Sequence, residues 1–144
     1  MPEDGTGPSG PLDVATLRLL GERAASHPLV NGWQFRPDAI SPRVLELQVA
    51  TEQFPAAVTD CRLDVRWFER GDYSVHYLET SGDGTWQCRW DRHPKASAPE
   101  AHFHPPPDAA SSAAEPSALD GSHPLDVLFA VLDWVESRVE EHYD

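Results

Sequence analysis

Four stretches of polar–apolar alternation, three of them linked by short turns, leave this chain little choice of fold. In residues 43–50, Leu45, Leu47 and Val49 share one side and Glu46 and Gln48 the other. In 61–69, Cys61, Leu63, Val65 and Trp67 oppose Arg62, Asp64, Arg66 and Phe68. Residues 73–79 set Tyr73, Val75 and Tyr77 against Ser74, His76 and Leu78, and 85–91 set Trp86, Cys88 and Trp90 against Gln87, Arg89 and Asp91. A period of two is the signature of a strand with one buried side. Arg70-Gly71-Asp72 and Ser81-Gly82-Asp83-Gly84 are hairpin turns, so neighbours in sequence run antiparallel. A further strand over 29–37, ended by Pro37-Asp38 and Ser41-Pro42, completes a meander of about five strands. Simple registers place Arg66, His76, Arg89 and Asp91 on one polar face.

The apolar side of such a sheet needs a helix layer, and the sequence offers one helix at each end. Val14, Leu17, Leu20 and Ala24 recur near the helical period until Ser26-His27-Pro28 breaks it. After His123-Pro124, Leu125, Leu128, Leu132, Val135 and Val139 form a second stripe. His123 there reads as a helix cap. The expected class is α+β, an antiparallel meander packed against an N-terminal and a C-terminal helix. Residues 1–10, rich in Gly and Pro, are expected to form a disordered tail, and 11–144 a single domain. Residues 92–122 are poor in strand or helix patterns. Within them, the small, polar residues 109–121 predict a flexible connector.

The charge balance bears on partners. Asp and Glu number 24 against 11 Lys and Arg, a net charge of −13, and Lys95 is the one lysine. An acidic surface almost without lysine is the composition expected of a protein in a high-salt cytosol. There the Debye length falls to about 3 Å, and net charge steers little. An RNA partner would then be held by short-range hydrogen bonds and stacking. No basic, apolar leader precedes Pro11 and no window approaches the ~18 apolar residues of a membrane span, so the expected compartment is the cytoplasm, without membrane attachment. Cys61 and Cys88 lack zinc spacing and read as buried free thiols. No phosphate-binding or dinucleotide loop, nucleophile elbow or zinc-protease helix occurs, so no cofactor is expected.

Chemistry concentrates between Arg89 and Asp108. The first run is Cys88-Arg89-Trp90-Asp91-Arg92-His93-Pro94; the second is His102-Phe103-His104-Pro105. In an extended chain His102 and His104 point the same way. Three readings compete. The pair orders a proline-rich loop; or it binds a metal together with His93, Asp91 or Asp108; or it performs acid–base chemistry beside arginines that hold a phosphate. Residues 86–107 carry Arg89, Arg92 and Lys95 against Asp91 and Glu100, a local excess of positive charge in an acidic chain. His76 is either a structural strand histidine or a fourth member of this site. Arg66 is a solvated strand residue or an extension of its basic surface.

The order Arg66-Trp67-Phe68, Tyr73-Ser74-Val75-His76-Tyr77, Arg89-Trp90-Asp91-Arg92-His93-Pro94, His102-Phe103-His104-Pro105 resembles the TumE-like family. The acidic, arginine-rich composition resembles its branch from salt-loving archaea. Family members are regarded as the toxin half of a two-gene toxin–antitoxin system. The resemblance covers about residues 60–140, although the family's Pro-His-His-x-His segment is here shortened to His102-Phe103-His104. It implies a toxin acting on RNA or translation, with a cognate antitoxin as partner. Carried over residue by residue, it assigns catalysis to Arg89, Asp91, His93, His102 and His104; the residues themselves offer Arg92, Arg66 and His76 as the candidates for contacting substrate. Such chemistry would be that of a metal-independent ribonuclease. The alternatives are a non-enzymatic interaction domain using the Trp-rich sheet, and a small metal-binding protein using His93, His102 and His104.

Overall fold

Each alternating stretch becomes a strand. The computed structural model describes residues 10–92, 101–119 and 123–143; residues 1–9 of the expected tail, and His93 and Lys95, lie outside the described residues. Helix α1 (Val14–Ala24) comes first. Strands β1 (Val30–Arg36), β2 (Val44–Val49), β3 (Val58–Trp67), β4 (Tyr73–Ser81) and β5 (Gly84–Arg92) follow. Two short strands, β6 (Ala101–His104) and β7 (Glu115–Pro116), lie either side of a 3-10 turn at Ser111–Ala113, and helix α2 (Pro124–Tyr143) closes the order. The strands form one antiparallel sheet in the order β1-β2-β3-β4-β5-β6-β7.

The α+β class and the two terminal helices are as expected, but the sheet has seven strands where the patterns indicated about five. Both additions fall in 92–122. Strand β6 is four residues long, too short for its His-Phe-His alternation to stand out among prolines. Strand β7 ends on Pro116 at the sheet edge, where a missing backbone donor breaks no ladder.

Local chemistry sets the element ends. Asp13 caps α1, accepting from the Thr16 amide at 3.0 Å and its hydroxyl at 2.8 Å. His123 caps α2 as expected, its Nδ1 accepting from the Leu125 amide at 3.1 Å. Gly71 takes a φ of 98° in the β3–β4 hairpin, a conformation that favours glycine.

Both helices cover the apolar side of the sheet. Leu17, Leu20 and Ala24 of α1 and Val127, Leu128, Val131, Leu132 and Val135 of α2 are buried in one cluster with Leu45, Leu47, Leu63, Val65, Val75 and Tyr77. Each fully buried aliphatic side chain contributes about 1.5–3 kcal/mol. Gly21 is where α1 comes closest to the sheet. A Cβ placed there would lie 2.5 Å from Cδ2 of Trp33, whose ring packs edge-on against Phe35. Gly21→Ala is expected to lower stability in chemical denaturation. Overpacking costs about 1–3 kcal/mol, outweighing the ~1 kcal/mol gained in helix propensity.

One ion pair sits inside the helix–sheet layer. Glu79 is buried, and Arg138 of α2 grips it through Nε at 2.6 Å and Nη2 at 3.0 Å. The Tyr77 hydroxyl donates to the same carboxylate. The guanidinium carbon of Arg138 lies 3.4 Å from the centroid of the Trp86 ring. Cys61 and Cys88 are buried free thiols, as expected, and burial pushes both up to about 12. They stay protonated and inert as nucleophiles.

Candidate functional site

The other side of the sheet carries no helix among the described residues, and the registers decide what gathers there. His76 of β4 pairs with Arg89 of β5, and Arg89 pairs with His104 of β6. One row along, Ser74 pairs with Asp91 and Asp91 with His102. Directly paired residues share a face. Arg66 also joins this face, because it pairs with Ser74. The expected grouping of Arg66, His76, Arg89 and Asp91 is therefore present, and β6 adds His102 and His104 to it. Arg92 does not join. It pairs with Tyr73, a core residue, and the pleat turns it to the face opposite Asp91. His93 lies outside the described residues.

Asp91 is the centre of the cluster. It is 5% exposed, and its Oδ2 accepts from Arg89 Nε at 2.7 Å and lies 3.0 Å from His104 Nε2. Its Oδ1 is buried with no hydrogen-bond partner among the described residues. Leaving a buried acceptor unsatisfied costs about 1–3 kcal/mol, a cost more often borne at functional sites than elsewhere. With Nε committed to Asp91, the two terminal nitrogens of Arg89 remain for an anion.

The histidines differ in what they can do. His104 is buried, and its Nδ1 lies 3.4 Å from the Ala110 carbonyl. Both its ring nitrogens are turned to protein acceptors, Asp91 Oδ2 and the Ala110 carbonyl, so the ring is held in place rather than presented to the open face. The loop after β6 arranges this. Ala109 takes a φ of 55° and its amide donates to the Pro105 carbonyl at 3.1 Å, which brings Ala110 back over the His104 ring. His102, on the same strand and face, is half-buried, and its side chain makes no hydrogen bond with any described residue.

His76 Nε2 lies 2.7 Å from Gln87 Oε1, which leaves Nδ1 open. Desolvation holds His76 below the ordinary imidazole value of 6.5, outweighing the Gln87 hydrogen bond and the charge of Asp64, which raise it. The neutral ring is the form that can take up a proton. A histidine lowered in this way binds its proton less tightly folded than unfolded. Stability is thus full above the unfolded value of 6.5 and declines as pH falls through it toward the folded value. In His76→Asn, denaturation curves at pH 7.5 and 5.5 are expected to differ less than in the wild type.

Sequence reasoning missed Gln87 and Ala110 as partners of the histidines. Gln87 had a readable signal, since it stands two residues before Arg89 on the same alternating face. Ala110 had none, because only the fold of the loop brings it there. Among the described residues, no group of three or more His, Cys, Asp or Glu is placed to hold a metal ion.

The molecule is thus an α+β protein with an Arg–Asp–His cluster on the uncovered face of an antiparallel sheet. The family model described as Toxin TumE matches residues 17–139, from α1 through every strand into α2, and the chain belongs to that toxin family. The family resemblance read from the order of the short motifs is borne out; the match does not bear on the branch from salt-loving archaea. Membership makes the chain a toxin of a toxin–antitoxin system and implies an antitoxin partner. No curated protein and no solved structure matches the chain. No described helix is long and apolar enough to cross a membrane.

Proposed function

We propose that this toxin cleaves RNA by transesterification on the open face of the sheet. The observation that carries the reading is the open-face placement of Arg89 beside His76, its direct partner on β4, and diagonal to His102, which pairs with Asp91 from β6. Each of these histidines keeps a ring nitrogen unbonded among the described residues. Arg89 holds the scissile phosphate with its terminal nitrogens. His76, held neutral by burial, takes the proton of the ribose 2′-hydroxyl as its oxygen attacks phosphorus. His102 gives a proton to the departing 5′-oxygen, leaving a cyclic phosphate on one product and a free hydroxyl on the other. Asp91 and His104 are positioning residues that fix the Arg89 guanidinium. The acidic, arginine-rich composition suits a cytoplasm of molar salt, so the reaction belongs in concentrated potassium chloride.

The test is incubation of the purified chain with a single-stranded oligoribonucleotide, with and without divalent metal, followed by end-group analysis of the products. Cyclic phosphate ends formed in the presence of a chelator are the expected result. An intact oligonucleotide under all conditions, or products with other ends, would sink the mechanism. Coexpression with the antitoxin is expected to suppress the cleavage.

A further inference from the structure

One cavity of the described structure lies away from the Arg–Asp–His cluster, at the end of the same open face. It measures about 570 Å³ and is lined by Leu12, Ser41, Pro42, Arg43, Arg66 and Phe68. Two features set it apart. It holds two arginines and no acidic residue, in a chain of net charge −13. Further, Arg36, Arg62, Arg89 and Arg138 each pair with a carboxylate, whereas neither Arg43 nor Arg66 is in an ion pair with any described residue. Two guanidinium groups left uncompensated around one cavity repel each other, and an anion between them removes that cost.

Apart from Ser41, the rest of the wall is apolar and firmly held. Phe68 and Leu12 are joined by a backbone bridge, and the Phe68 amide donates to the Asp72 carbonyl at 3.0 Å. The opposite rim is the β1–β2 loop. There Asp38 Oδ1 accepts from the Ile40 and Ser41 amides, both at 2.9 Å, and the Arg43 amide donates to the Arg36 carbonyl at 2.8 Å. Such a site suits an anion attached to a flat, weakly polar body. Its relation to the cluster narrows the choice. Arg66, Ser74 and Asp91 lie in one row across β3, β4 and β5. Two strand spacings separate the first from the last, roughly 10 Å, a distance an extended dinucleotide spans.

We infer that this cavity is a nucleotide subsite, in which Arg43 and Arg66 hold a phosphate of single-stranded RNA and Phe68, Leu12 and Pro42 pack against the base. The inference rests on the RNA reading above and gives the strand its path, across the sheet from β5 toward β2. Stacking on Phe68 is tolerant of sequence, because every base offers a flat face. The subsite therefore selects for unpaired RNA rather than for a particular base.

Adenosine monophosphate titrated into isotope-labelled protein, followed amide by amide, tests the subsite apart from cleavage. The expected result is movement of the Ser41, Arg43, Arg66 and Phe68 signals. Arg43→Gln/Arg66→Gln, both changes being on exposed side chains, is expected to weaken binding about tenfold or more. Phe68→Ala weakens adenosine monophosphate but not inorganic phosphate. Unmoved signals at these positions, or equal affinity in the double variant, would overturn the subsite. If the nucleotide binds there while the wild type cleaves no RNA, the subsite stands and the ribonuclease reading falls. Cleavage with unchanged KM in the double variant means the reverse.

Discussion

His102→Ala is expected to fold like the wild type and to cleave RNA about a hundredfold to ten-thousandfold more slowly, the range general acid–base groups contribute. The first half of the expectation follows from the environment. His102 is half-buried, on a four-residue strand, and its side chain is bonded to no described residue, so the loss of the imidazole disturbs no network. Substitutions of that kind stay within about 0.5 kcal/mol. The second half follows from its place on the open face beside Arg89. Arg89→Ala makes the informative contrast. It removes the phosphate contact and also strips Asp91 of a partner at 2.7 Å, so both activity and melting temperature fall. Initial rates and thermal melts on the two variants separate the roles. A His102→Ala chain as active as the wild type would remove His102 from the chemistry.

Arg138→Ala is expected to destabilise the fold by about 3–5 kcal/mol, the cost of abandoning a buried partner. Glu79 is 4% exposed and takes both arginine contacts inside the helix–sheet layer, with the Tyr77 hydroxyl as its other donor. Without Arg138 the carboxylate stays buried and uncompensated, and Trp86 loses the guanidinium packed on its ring. Domains of this size are stable by about 5–15 kcal/mol in all, so the variant should unfold at a much lower urea concentration. Glu79→Met/Arg138→Met should recover most of the loss, because a buried pair replaced by apolar groups costs little. Equal midpoints for Arg138→Ala and the wild type would show that the pair carries no such weight.

The legible part of this protein is the part governed by alternation. Leu45, Leu63, Tyr77 and Cys88 announce their faces by period alone, and with them the polar face of Arg66, His76, Arg89 and Asp91. The terminal helices are equally plain in their apolar stripes. Beyond Arg92 the signal fails, for two physical reasons. Strand β6 is held by its neighbour β5 rather than by its own composition, so four residues among prolines and alanines show little of it. Contacts such as Ala110 to His104 depend on a left-handed Ala109, which sequence pattern does not reveal. Arg92 shows the converse. It is adjacent in sequence to Asp91, but a strand sends adjacent residues to opposite faces. The pairing of Glu79 with Arg138 joins residues far apart in the chain, and nothing in either local pattern pointed to it.

The strictly sequential strand order has a consequence for synthesis. Each strand finds its partner in the segment made just before it, so the sheet can zip up hairpin by hairpin as the chain leaves the ribosome. Its apolar side is covered only by α1 for far longer, because Val127, Leu128, Val131, Leu132 and Val135 belong to α2, which follows every strand. A nascent or truncated chain ending before Pro124 therefore carries the whole Arg–Asp–His face on a sheet that lacks its main cover, and it is a substrate for chaperones and proteases.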